Sequence, residues 1–473
     1  MKRDRLVLLI LVFAVVSCGI GIINAAIPNN TLRNNWLVIT GVNVTGSYQI
    51  DGNDIITGAG VADFASVDAD GYFLNAVNKT DILAHPYQPA SYIISTDGTT
   101  IRAVNGTTGI VDYSGTNATT IIQAALDTLP ISGGTVFLKE GTYSITHPIT
   151  WWKDKISLIG MGPATILYRT NDASNLIEIG NGVNHTRYGK INGIYFQGDG
   201  HGTGHGIRMH WSHYFVITDN WFYYVNDGIH MDATGEDGES VDNHIISNNH
   251  FYETQGYGIY GQVVQNTVIV GNMFDSCEKQ GIYLDTNTDH DTITGNTFEE
   301  CGETGPVSQI NVKGDYITIT GNNLVYGEGH GILLTTAEDC TVSSNTVMGN
   351  KEHGIYLSAC EDCVVVGNTV HANDLLNTVS WSGIKIHGSF NTIVSSNSVT
   401  DNDEYEIQVT STSTNTTIIG NNVNGIDHST GISNAGTNTI IRLNYGYTGP
   451  GDIRFNAGDI EMWNSTAWVK ISP

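Results

Sequence analysis

The sequence predicts an all-β fold, a parallel β-helix with three strands per coil and about 10 or more coils. Three observations carry this. Two short motifs recur together, a β-branched stretch lies between them, and no unit carries a helical stripe. The first motif is Gly-Ile-x-[Leu/Val/Met], at Gly206, Gly228, Gly258, Gly281, Gly331, Gly354, Gly383 and Gly431, with weaker members at Ile310 and Ile407. The second is Asn-x-[Phe/Val/Leu], at Asn220, Asn249, Asn272, Asn296, Asn322, Asn345, Asn368, Asn397 and Asn421, spaced 23 to 29 residues apart. Between them run stretches such as Thr292-Ile293-Thr294 and Val364-Val365-Val366. Each unit therefore reads as three short strands of period two, separated by turns. Units this short cannot bury a face alone, so they stack at the strand spacing of about 4.8 Å. An Asn column suits tight turns and hydrogen-bonds up a ladder.

From the N-terminus, Lys2, Arg3 and Arg5 precede an apolar run from Leu6 to Ile23, so residues 1–26 read as a signal peptide or a membrane or lipid anchor. Val15-Val16-Ser17-Cys18 fits a lipoprotein-type cleavage box, or Cys18 is one more apolar residue of the run. Eight Asn-x-Ser/Thr acceptors, at Asn29, Asn43, Asn78, Asn105, Asn117, Asn184, Asn415 and Asn464, fit an exported glycoprotein but arise easily in a chain rich in Asn and Thr. Residues 27–110 alternate as β structure without the repeat and form a β-rich lead-in. The β-helix is expected over 111–445. At its head, Thr120 and Gln123 form a capping box, Ile122, Ala125, Leu126 and Leu129 an apolar stripe, and Pro130 a stop. This amphipathic helix would cover the first coil and shield an open sheet end. Gly451–Phe455 and Ala467–Ile471 read as a hairpin capping the far end, within 446–473.

The stacked coils with an Asn ladder resemble the right-handed β-helix of the pectate lyase and polygalacturonase superfamily. The lead-in from Thr120 to Leu126, then Gly133–Leu138, Gly141-Thr142-Tyr143 and Ile156–Gly160 with Gly162, is similar to the head of many polysaccharide lyases, glycoside hydrolases and phage depolymerases. The resemblance covers roughly 111–445 and implies a fold that hosts many activities. The C-terminal segment resembles, more loosely, that of surface and tail-fibre proteins. Gly329-His330-Gly331 and Asn226-Asp227-Gly228 resemble polygalacturonase motifs. Yet Gly331 and Gly228 are repeat glycines, His353-Gly354 shows that His often precedes that Gly, and the paired aspartates and Arg-x-Lys element are missing. This argues against a polygalacturonase.

In the Gly-Ile-x-Leu strand Ile and Leu point inward, leaving two outward columns. One reads Arg208, His230, Tyr260, Tyr283, Asn311, Leu333, Tyr356, Lys385 and Gln408; the other His210, Asp232, Gln262, Asp285, Lys313, Thr335, Ser358, His387 and Thr410. Loop insertions at 233–242, 301–307 and 371–381 flank this face and make a groove for an extended sugar chain. Tyr260, Tyr283 and Tyr356 offer apolar faces with hydroxyl edges, and Lys385 and His387 extend the binding surface. Asp232 and Asp285, two coils apart, stand near the upper carboxyl separation of an inverting glycosidase. A lyase would instead use Arg208, His230 or Lys385 as base. Ca²⁺ would then be held by Asp227, by Asp232 or by the acidic loop of Glu236, Asp237 and Glu239. Both activities stay open, as does a decorated surface with neither.

Cys277 and Cys301 hold equal positions in adjacent coils, as do Cys340 and Cys363, so each pair is a disulfide candidate in an oxidising compartment; Cys360 is left over. No Cys/His spacing matches a zinc site. Lys and Arg number 20 against 47 Asp and Glu, a net charge of −27 with no basic block, which excludes nucleic acid as a partner. A membrane is met only through the N-terminal segment, and self-association is left open. The expected protein is exported, sits at the cell surface or outside it, and binds extracellular polysaccharide, with cleavage by a lyase or glycoside hydrolase one alternative. The rivals are a non-catalytic adhesin, spacer or sheath component and, against the N-terminal signal, a virion fibre.

Overall fold

A computed structural model gives the fold. It describes residues 90–170, 174–180, 185–200, 202–233, 240–305, 307–373, 381–424 and 431–447, together with strands between Leu32 and Ala62 and between Ile453 and Lys470. The chain divides into two compact units, Met1–His85 and Pro86–Pro473. In the first, short antiparallel pairs join Val42–Thr45 to Ala59–Ala62 and Tyr48–Ile50 to Asn53–Ile56.

The second unit is a parallel β-solenoid whose coils contribute one strand to each of three faces. Sheet 1 holds strands such as Val216–Thr218, sheet 2 strands such as Trp221–Tyr223, and sheet 3 the Gly-Ile strands, such as Ile229–Asp232. Sheet 3 has 12 strands, in strict order of chain. A fourth, four-stranded sheet follows sheet 3 in the early coils, from Thr186–Arg187 to Val264–Gln265. Sheet 1 begins earlier than the 110/111 boundary read from the sequence. Tyr92–Thr96 pairs in parallel with Gly134–Leu138 and continues antiparallel into Ile101–Asn105 and Val111–Gly115.

The head helix α1 runs Ala118–Thr128 and buries Ile121, Ile122, Ala125 and Leu126. Its cap is Asn117, whose side chain accepts the Thr120 N–H at 3.1 Å, one turn earlier than the expected Thr120 box. Gln123 is not part of a capping box. Its amide instead bridges to Thr150, donating to the carbonyl at 2.8 Å and accepting the N–H at 2.9 Å, which pins the helix to the first coil. At the C-terminus the expected hairpin is a three-stranded antiparallel sheet, Ile453–Asn456, Asp459–Trp463 and Trp468–Lys470; the middle strand lies between the two stretches singled out by the sequence.

Two internal stacks hold the coils in register. Phe196, Phe222, Phe251, Phe274 and Phe298 stack face to face with centroids 4.6–4.8 Å apart. The repeat glycines make room for the core side chain that packs against them: a Cβ on Gly258 would lie 2.5 Å from the Phe274 ring, and one on Gly331 only 2.3 Å from Val347. The Asn column forms an unbroken ladder from Asn220 to Asn444, each amide donating to the Oδ1 of the next at 2.9–3.0 Å. The left-handed residue is not the Asn but the one before it, such as Asp219, Asn248 or Ser344. A second ladder, Asn350–Asn373–Asn402, runs alongside.

Cys277 and Cys301, and likewise Cys340 and Cys363, occupy equivalent interior positions of adjacent coils, as expected. Cys277, Cys301, Cys340, Cys360 and Cys363 are buried, with Cys277 beside Cys301 and Cys340 beside Cys363. Backbone carbonyls also accept from two of these thiols, Cys363 to Glu361 O at 3.2 Å and Cys340 to Glu338 O at 3.3 Å.

Candidate active site

Sheet 3 fixes the site by its register. Glu178, Arg208, His230, Tyr260, Tyr283, Asn311, Leu333, Tyr356, Lys385 and Gln408 lie side by side in consecutive coils, outward between buried Ile and Leu. The turn from sheet 2 into sheet 3 adds His205, Asp227 and Tyr257 along one edge, and the residue closing each strand adds His210, Asp232 and Asp285 along the other.

These converge in the coils from 205 to 285. His230 Nδ1 lies 2.6 Å from Asp227 Oδ2, and its Nε2 is 3.5 Å from Asp232 Oδ2. Asp232 also takes Arg208 Nη2 at 2.8 Å and His210 Nδ1 at 2.6 Å. His205 Nδ1 approaches Asp227 Oδ2 at 3.0 Å, while the Tyr257 N–H donates to Asp227 Oδ1 at 2.9 Å. Imidazole and phenol rings stack along the column: His205 on His230 at 4.2 Å, His230 on Tyr260 at 4.6 Å, and Tyr257 on Tyr283 at 5.3 Å. Lys313 donates to Tyr283 Oη and reaches Asp285 Oδ1 at 3.2 Å.

The electrostatics follow from this pairing. Burial would raise the Asp227 and Asp232 carboxyls, but hydrogen bonds from His205 and His230 to the one, and from His210, His230 and Arg208 to the other, hold both well below the usual range. Burial opposes charge on His230 as well, yet its two carboxylates carry it above an ordinary imidazole. Asp285 is lowered against burial by the Thr286 N–H and Lys313. Burial, with Asp285 nearby, pushes Tyr260 up to about 12; burial also raises Tyr283, partly offset by Lys313. Both phenols therefore stay protonated donors at neutral pH.

Several expectations meet this geometry. Arg208, His230, Asp232, Tyr260 and Tyr283 belong to one constellation. Asp285 lies at its far side in a separate pair with Lys313, so Asp232 and Asp285 do not act as an inverting couple. Both are held ionised, and that chemistry needs one protonated carboxyl. Asp227 offers no ligand to Ca²⁺: it is buried, both its oxygens are engaged, and imidazoles are the wrong donors for a hard cation. Glu236, Asp237 and Glu239 lie outside the described residues. Tyr356 and Lys385 stand three and four coils beyond Tyr283 in the same column, and exposed His387 closes the Lys385 strand, its Nδ1 3.2 Å from Thr410 Oγ1. His205 and Tyr257 were not singled out. The signal for His205 was its place before a repeat glycine, shared with His330 and His353.

The described coils are those of a right-handed parallel β-helix. The family described as "Right handed beta helix region" matches residues 306–423, and "Periplasmic copper-binding protein (NosD)" matches 131–325. No curated protein sequence matches the chain. Among solved structures, gene product 12 of bacteriophage phi29 shares 14% identity over 74% of this chain and 56% of its own, with a TM-score of 0.51. The A-module of Azotobacter vinelandii mannuronan C-5 epimerase AlgE4 shares 16% over 69% of this chain and 91% of its own, at 0.46. An α-1,3-glucanase of Streptomyces thermodiastaticus shares 13% over 70% and 66%, at 0.46. At such identities the likeness is one of fold.

The NosD description raises copper, and His205, Asp227 and His230 bring two nitrogens and an oxygen within 4.8 Å of one another. Such donors suit copper in kind. Their arrangement does not. The two rings are stacked, 27° from parallel, with both Nδ1 atoms on one carboxylate oxygen, and none of the three residues leaves a buried polar atom unpartnered. This is a closed hydrogen-bonded cluster.

Proposed function

We propose that the protein is exported, binds an extracellular acidic polysaccharide along sheet 3, and performs proton transfer on it at His230, in the manner of a lyase-type elimination. The observation that carries this reading is the clasp on His230. Asp227 takes the Nδ1 proton and so leaves Nε2 as the working nitrogen, while partial exposure keeps the ring reachable. His230 removes the proton beside the sugar carboxylate. Arg208 and Lys313 offset the charge that develops on that carboxylate, and the protonated Tyr260 and Tyr283 hydroxyls hold the ring edge and donate to the departing oxygen. Cations on this one face of a chain of net charge −27 favour a uronate over a neutral sugar.

Support for export comes from the cationic, then apolar, N-terminal sequence and from the periplasmic family matched. The polysaccharide-acting enzymes among structures of like fold agree with the ligand class. The test is product release from alginate, polygalacturonate, hyaluronan and neutral glucans. Unsaturated ends from an acidic polymer, lost in His230→Ala and reduced in Asp232→Asn, are expected. New saturated reducing ends would mean hydrolysis and overturn the chemistry.

A second reading, a non-catalytic carbohydrate-binding surface protein, is favoured by the closure of the network: Asp227 and Asp232 already have partners for their charge. Binding without any product, with affinity reduced in Tyr260→Ala, would select it.

A further inference from the structure

A second cluster lies farther along sheet 3 and is not used by the chemistry at His230. His330 and His353, which precede repeat glycines in adjacent coils, stack at 5.2 Å. The Trp381 ring stands edge-on to both, at 5.9 and 4.8 Å, and Tyr356 meets His330 edge-on at 5.1 Å. Glu352 Oε2 lies 3.1 Å from His330 Nδ1, and Lys385 Nζ is 5.8 Å from the Tyr356 ring centre. His353 is 1% exposed and its Nε2 is buried without a partner.

The cluster is built to shed charge. Burial, with Lys385 nearby, takes His330 down to about 4 and His353 to about 2, and burial raises Glu352 to about 7. The Lys385 ammonium is itself lowered by burial and faces Glu404. Neutral aromatic rings beside one half-buried cation are the surroundings in which a sugar ring is held by its apolar face and a polar edge, with no proton transfer needed. In the intervening coils the column carries Asn311 and Leu333, neither of them charged.

Resting on the polysaccharide reading above, we propose that Tyr356, Trp381 and Lys385 form a distal subsite for the same glycan chain, so that the protein selects its substrate by length. Lys385 stands six coils from His230, roughly 29 Å at the strand spacing. A linear glycan needs about six sugars to engage both clusters. Shorter chains occupy one at a time and forgo the gain of a second, intramolecular contact.

The experiment is binding of size-fractionated oligogalacturonates and oligomannuronates, from about two to about ten sugars, to the full chain by calorimetry. Affinity is expected to step up about a hundredfold near six sugars. Lys385→Ala and Trp381→Ala should remove the step and leave short oligomers bound at the His230 cluster alone, with the affinity of that cluster unchanged, and Trp381→Phe should keep part of the step. If Trp381→Ala fails to fold, Lys385→Ala and Trp381→Phe decide. Affinity that does not depend on length, or variants that weaken short and long oligomers equally, overturns the subsite and leaves the function at His230 standing. Failure of every oligomer to bind, with no product from the polymers, overturns both.

Discussion

His230 acts only after losing a proton, and the two carboxylates that clasp it raise the pH at which it does so. Activity should therefore fall on the acid side, at a pH above the ordinary imidazole value of about 6.5. In Asp227→Asn, which removes one of those charges, the acid limb of the pH–rate profile should move to lower pH. A limb unmoved by that substitution would mean another group carries the proton. The same pairing should be visible in stability. Asp227 is depressed, so its contribution is present above the unfolded value near 4 and is lost as pH falls through its folded value; His230 is raised, so its contribution is present below about 6.5 and is lost as pH rises through its folded value. Asp227→Ala should thus cost on the order of 3 kcal/mol in urea unfolding between about pH 4.5 and 6.5, and less on either side. At this scale the sequence was partly legible. Arg208, His230, Asp232, Tyr260 and Tyr283 follow from the period-two alternation of a strand, which fixes side-chain direction without knowledge of the turns. His205, Tyr257 and the engagement of Asp227 depend on where a turn delivers its last residues, which no strand period encodes. The histidine before a repeat glycine was passed over as merely frequent, although His205, His330 and His353 each enter a cluster at the edge of the sheet.

The ladders and the ring stack set how rigidly those side chains are presented. Asn345 accepts both the Asn322 N–H and its Nδ2 at 2.9 Å, and it donates to Ile319 O and Asn368 Oδ1 at 3.0 Å. Asn345→Ala leaves those buried partners unmet and should cost about 3 kcal/mol in chemical denaturation. A cost below about 1 kcal/mol would mean that water replaces the amide. Gly331→Ala meets the Val347 side chain and the Gly354 carbonyl, 2.3 and 2.7 Å from its new Cβ, and should cost roughly 1–3 kcal/mol. Val347→Ala in the same chain should relieve part of that strain, a non-additivity that a double-mutant cycle reads directly. The repeat was legible because each coil repeats the same burial problem, printing Gly, Ile and Asn at fixed offsets. The α1 cap was misplaced by three residues because Asn117 and Thr120 are both competent cap residues, and what decides between them is the anchoring of Gln123 to Thr150, a contact 27 residues away. The disulfides were drawn from equal positions in adjacent coils. That placement is right: Cys277 meets Cys301 and Cys340 meets Cys363 across adjacent coils, while Cys340 and Cys363 also reach carbonyls of their own turns.

For the whole molecule, the net charge and the cations that face outward from sheet 3 pull in opposite directions on an anionic glycan. The chain as a whole carries −27, while Arg208, Lys313 and Lys385 with the adjoining histidines face outward from sheet 3. At low ionic strength, about 10 mM, the screening length near 30 Å lets the incoming polymer sense the full negative body before it reaches the groove. At about 150 mM that length contracts to about 8 Å, and only the cations near the groove remain in range. The association rate for an acidic polymer should therefore rise as salt is added over this interval, the reverse of a uniformly basic binding protein. The dissociation rate should rise too, though less, because Arg208 and Lys313 are only partly exposed and are screened weakly. Stopped-flow mixing at fixed pH measures both. An association rate that falls steadily with salt would show that the groove cations dominate at long range, and Lys385→Ala and Arg208→Ala would then slow encounter. A rate indifferent to salt would point to a neutral glycan, and with it to a different reason for the cations of sheet 3.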